Sequence, residues 1–188
     1  MELQHVNVKI LVDQLGIGME QLIEVFHRWV AEQCCEELLI DVADYQHVPD
    51  GPGVLLVGHE ADYALDQQGG RYGLLYNRKD MMDGSNLKRL QQAFRSAAAA
   101  CHQLETELGD NTLQFSRQQF EIVVNDRALA PNTDETFQAL QPELKAFVSQ
   151  TLGHDQFQFN RRSDDSRCRF SIDVISDQPF DLAEVSTA

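Results

Sequence analysis

Apolar and polar residues alternate from Val6 to Asp13, with Val8, Ile10 and Val12 on one side. A period of two predicts a strand. A Leu-Gly-Ile-Gly turn leads into a stretch where Met19, Leu22, Ile23, Phe26, Trp29 and Val30 recur at helical spacing, so one face of a helix is apolar. Leu38–Tyr45 reads as a second strand, and the breakers between His47 and Gly53 turn the chain. Val54–Tyr63 and Arg71–Arg78 read as a third and fourth strand, separated by Gln68-Gly69-Gly70. A long helix opens near Asp83-Gly-Ser-Asn. It carries Leu87, Leu90, Phe94, Ala97, Cys101, Leu104 and Leu108 on one stripe and stops at Gly109.

The second half repeats the alternation. Leu113–Asn125 reads as a strand or a bulged pair, and Phe137, Leu140, Leu144, Phe147 and Val148 mark a helix in which Pro142 should produce a kink or a restart. Phe157–Arg161 and Arg169–Ile175 form a closing hairpin. Hairpins interleaved with striped helices predict an α+β fold: a mainly antiparallel sheet with helices on one face. The run Val8-Lys-Ile-Leu-Val-Asp13 and the run Phe120-Glu-Ile-Val-Val-Asn125 stand at matching places, which points to a tandem β-α-β-β duplication. Residues 1–176 are expected to form one domain, and 177–188 a flexible C-terminal tail.

Charge narrows the class of partner. Thirty acidic residues against fifteen basic ones leave a net charge of −15. Phosphate backbones and anionic membrane surfaces are held by Lys and Arg, so neither nucleic acid nor membrane is expected as a partner. The imbalance is concentrated: residues 1–66 hold thirteen acids and only two bases, Lys9 and Arg28. Such a surface attracts cations or a basic partner. Four cysteines without a C-x-x-C pair, and an N-terminus without a basic-then-apolar leader, predict a reduced, cytoplasmic setting. Gly16-Ile-Gly18 lacks the third glycine of a dinucleotide loop, because position 21 is Gln21. Serine-hydrolase, zinc-protease, Walker and EF-hand patterns are also missing.

Candidate chemistry falls in residues 38–78, which contain Ile40-Asp-Val-Ala-Asp-Tyr45 and Gly58-His-Glu-Ala-Asp-Tyr63. Folding these strands around the 48–53 turn, and the next pair around Gly69-Gly70, places Asp41, Glu60 and Asn77 in one row with Asp62 beside it. His59 and Arg78 then fall on the opposite, apolar side. Like charges facing each other on a sheet destabilise it, so the row needs a compensating group. Asp41, Glu60 and Asp62 could ligate a divalent cation, Mg²⁺ or Ca²⁺, as cofactor. Asp41 and Glu60 could share a proton as an acid/base pair, or a base such as Arg71 could neutralise them. The expectation is an acidic small-molecule- or cation-binding domain using Asp41, His59, Glu60, Asp62, Asn77 and Arg78. Its rivals are an interaction or scaffold subunit whose acidic face and strand edges hold a protein partner, a second copy included, and an enzyme built on the carboxylate pair.

Overall fold

The period-two runs become strands, and all eight of them join in one open antiparallel sheet in a computed structural model that describes residues 1–49, 51–109 and 112–187. Asp50, within the expected 47–53 turn, and Ala188, at the end of the expected tail, lie outside the described residues. In chain order the elements are β1 (Val6–Leu15), α1 (Met19–Glu32), β2 (Leu39–Asp44), β3 (Val54–Gly58), β4 (Ala61–Asp66), β5 (Gly73–Arg78), α2 (Asn86–Leu108), β6 (Leu113–Val124), α3 (Asp134–Leu152), β7 (Phe157–Arg161), β8 (Phe170–Ser176) and α4 (Leu182–Thr187). Their order across the sheet is β2-β3-β4-β5-β1-β6-β8-β7. The first strand of each half, β1 or β6, therefore stands at the centre. The rest of its half extends outward from it.

The helices cover one face. Val8, Tyr76, Tyr63 and Leu56 follow one another across β1, β5, β4 and β3 and point at that layer. Phe26 and Trp29 of α1, Phe94 of α2 and Phe147 of α3 are fully buried, as their stripes predict. Phe94 sits at the middle, with ring centroids 4.6 Å from Phe120, 5.7 Å from Phe147 and 5.6 Å from Phe180. Aromatic pairs in tilted and edge contact add about 0.5–1.5 kcal/mol each beyond their buried area. Ser85 and Thr133 cap α2 and α3 by accepting the amides of Lys88 and Thr136.

Three expectations change. The run 54–63 is not one strand: it breaks at His59-Glu60 into β3 and β4, two short strands that pair with each other. The helix α3 does not restart at Pro142 but continues through it. Residues beyond 176 do not hang free, because Phe180, Leu182 and Val185 are buried and α4 packs on α2.

Candidate functional site

The break at His59-Glu60 dissolves the predicted row. β3 ends at Gly58, and Asp41 lies opposite Val57, not Glu60. Glu60 is in the turn itself. Its neighbour His59 is exposed, with Nδ1 3.4 Å from Glu60 Oε1. The backbone amide of Glu60 holds its own carboxyl below the ordinary range, and His59 contributes in the same direction. It is Asp62, and not Glu60, that stands beside Asn77 across β4 and β5. Lys79 neutralises Asp62 with Nζ 2.8 Å from Oδ1, which also accepts from the Gly58 amide. Asn77 Oδ1 accepts from Asn7 Nδ2 at 2.7 Å. Arg78 faces the helix layer, and its Nε donates to the carbonyl of Asp80. Asp41 is exposed. Separated in this way, Asp41 and Glu60 cannot share a proton. Among the described residues no three His, Cys, Asp or Glu side chains converge as a metal site.

Chemistry gathers instead at the centre of the uncovered face, one strand further along. Alternation puts Lys9 of β1 beside Leu75 on one side and Glu121 of β6 on the other, and Glu121 beside Asp173 of β8. Lys9 and Glu121 are each only 2% exposed although no helix covers them. Two segments arch over them: the stretch after β4, with a 3₁₀ turn at Gln68–Gly70, and the stretch after β7. Lys9 Nζ donates to Asp66 Oδ2 at 2.7 Å and to the carbonyl of Gln68 at 3.2 Å. Arg71 bridges Glu121 and Asp173, and Arg162 Nη1 reaches the second Glu121 oxygen at 2.7 Å. Burial works against the Arg71 charge, but its hydrogen bond to Asp173 and the charge of Glu121 outweigh it and hold the guanidinium above its ordinary value.

Two glycines make the arch fit. A Cβ at Gly73 would come within 2.7 Å of Lys9 Cγ and 2.8 Å of the Ile10 carbonyl oxygen, so glycine lets the lysine stem lie across β5. Gly69 turns with φ of +75°, and a Cβ there would meet Arg162 Nη2 at 2.8 Å.

Beneath the arch lies a cavity of about 480 Å³. Its charged lining is Lys9, Arg162, Arg167 and Arg169 against Asp66 and Glu121, an excess of two positive charges. Lys9 and Arg162 are tied to those carboxylates, and Arg167 to Asp165 outside them. Arg169 bonds only the Gln68 side-chain oxygen, at 2.9 Å, and has no carboxylate partner among the described residues. Leu75 and Val123 add an apolar floor, and Ser163 and Ser171 add hydroxyls. The arrangement can hold a small molecule with an anionic group over the floor and hydrogen-bonding groups at the rim.

A second buried polar cluster lies on the helix side. Glu37 accepts from Tyr63 Oη at 2.5 Å and from Tyr76 Oη at 2.7 Å, and Gln92 Nε2 donates to Tyr76 Oη. Burial, reinforced by the Glu37 charge, pushes both phenols up. This cluster pins the loop between α1 and β2 to the sheet. Comparison of the chain with protein-family models, curated proteins and solved structures finds no match, so the geometry carries the functional reading by itself.

Proposed function

We propose that this protein binds a small anionic molecule, carrying a carboxylate or a phosphate, in the cavity on the uncovered face of its sheet. The observation that carries the reading is the local reversal of charge: a chain of net charge −15 lines this cavity with four cations and two carboxylates. The volume falls within the range of roughly 300–1,000 Å³ in which small ligands are held. The polar groups come mainly from strands and from segments locked to them by ion pairs, which favours preorganised binding over adaptive capture. Arg169 supplies the charge still open to a ligand. Arg162 and Lys9, bound to carboxylates, set the shape.

Titration of the whole protein with inorganic phosphate and with citrate, followed by the guanidinium NMR signals and by thermal shift, tests this. The expected result is a saturable change at Arg169 with a rise in Tm, because a ligand that binds only the folded state stabilises it by mass action. Arg169→Ala should lose that response and melt like the unliganded wild type. If neither anion perturbs the cavity arginines, or if Arg169→Ala responds as the wild type does, the proposal fails.

A further inference from the structure

The strand β2 ends the sheet, so one side of its backbone meets no other strand. The Tyr45 amide donates to the Gly53 carbonyl at 2.7 Å. Antiparallel alternation then turns Ala43 and Asp41 toward β3, and the N–H and C=O of Val42 and Asp44 toward the open edge. The edge is closed at one end, where the Gln33 side chain accepts the Leu39 amide at 3.0 Å and donates to the Leu39 carbonyl at 2.8 Å. Further along, the Val42 amide donates to the neighbouring Asp41 carboxylate, at 2.8 Å, and to no other group among the described residues. That plug is held by one charge.

The surroundings of this edge are apolar and acidic. Of the eight large hydrophobic residues exposed among those described, four lie here: Leu38, Ile40, Tyr45 and Val48. Residues 31–49 contain five acids and no lysine or arginine. Glu32, Glu36, Asp41 and Asp44 are exposed and form no ion pair among the described residues. A second copy pairing edge to edge would bring two sets of these four exposed carboxylates to one seam, and like charges facing across strands repel.

We infer that the β2 edge binds an extended segment of a partner protein in which basic and apolar residues alternate. A lysine or arginine of that segment draws the Asp41 carboxylate onto itself and frees the Val42 amide. The freed amide then donates to a carbonyl of the incoming strand, which adds to the sheet as a ninth strand. Apolar residues of the segment cover Ile40 and Tyr45. Acidic or uncharged strands leave the plug in place, so the charge acts as the selector.

The probe is a blocked, fluorescently labelled heptapeptide of alternating valine and lysine, with a valine–glutamate counterpart as control. Anisotropy should show saturable, salt-weakened binding of the basic peptide only, and hydrogen exchange at the Val42 amide should slow in its presence. Val42→Pro keeps the pairing with β3, in which this amide takes no part, gives up some packing of the Val42 side chain on the core, and should lose about tenfold or more in affinity. If Val42→Pro does not fold, Ile40→Lys, at an exposed position, should give the same loss. Arg169→Ala should bind the peptide like the wild type, which separates this edge from the anion cavity. The inference is overturned if wild type does not bind the basic peptide, if the glutamate peptide binds equally, or if folded Val42→Pro or Ile40→Lys binds unchanged. It is also overturned if sedimentation shows a wild-type dimer that Val42→Pro dissolves, since a second copy would then be the occupant.

Discussion

Replacing Lys9 by methionine probes the centre of the uncovered face. The side chain keeps nearly its volume and loses its charge. Lys9 is 2% exposed and Asp66 5%, with 2.7 Å between Nζ and Oδ2. The substitution therefore leaves Asp66 buried without its counter-ion and the Gln68 carbonyl without its donor. Breaking one side of a buried pair costs about 3–5 kcal/mol, because the remaining charge has neither water nor partner. For a chain of this length each kcal/mol moves Tm by about 2–4 °C, so a fall of roughly 6–20 °C is expected. Removing both charges in Lys9→Met with Asp66→Leu should recover most of the loss or exceed the wild type, since no unpaired ion is left. Urea unfolding of the wild type, both single variants and the double variant gives the coupling energy directly. A cost below about 1 kcal/mol for Lys9→Met, the value of a solvated surface pair, would refute the claim that the arch keeps water from this ion pair.

Gly73→Ala should cost about 1–3 kcal/mol in chemical denaturation, because the added carbon meets the Lys9 stem and the Ile10 carbonyl; a neutral result would mean that the lysine lies elsewhere. Phe94→Ala, which removes the ring touching Phe120, Phe147 and Phe180, should cost about 3–5 kcal/mol. In native protein at pH 8 a disulfide reagent should leave Cys101 and Cys35 unmodified until denaturant is added. Cys101 is fully buried, and burial pushes the Cys35 thiol up to about 12, so little thiolate is present. Acid should destabilise the fold below about pH 4.5, the ordinary glutamate value. Glu60 and Glu135 are held low chiefly by their own backbone amides, and Asp165 by Arg167, so their stabilisation is complete above the unfolded values and is lost as pH falls through the lower folded ones. A stability plateau extending unchanged to pH 3 would contradict this.

Periodicity made the architecture legible, because burial on one face of a strand or helix writes itself directly into the order of residues. Val8, Ile10, Tyr76 and Phe94 were placed correctly on that ground alone. Register was not legible in the same way. Treating 54–63 as one strand hid the turn at His59-Glu60, and a single misplaced turn moves every facing pair, so Asp41 and Glu60 were brought together when Val57 is the true neighbour of Asp41. The next hairpin slipped as well: Asn77 was set opposite Glu60 and stands opposite Asp62. The cavity residues were missed for another reason. Lys9, Glu121 and Arg162 each look like an ordinary polar position of a strand or loop, and only the arch of residues 67–72 and the stretch after β7 buries them. One signal was present: Lys9 and Glu121 occupy matching places in the two similar strand sequences, and opposite charges there suit two strands that meet at the centre of a sheet.

The central position of β1 bears on how the chain comes to be folded during synthesis. Val8 of β1 pairs with Tyr76 on one side and with Ile122 on the other. Residues up to Leu108 can assemble β2-β3-β4-β5-β1 and its helices as they leave the ribosome. Until β6 has emerged, however, β1 is an edge whose Val8 and Ile10 lack Ile122 and Phe120 beside them. The nascent half-protein thus passes through an interval in which its central strand is open to another chain, and the rate at which the second half is delivered governs how long that exposure lasts.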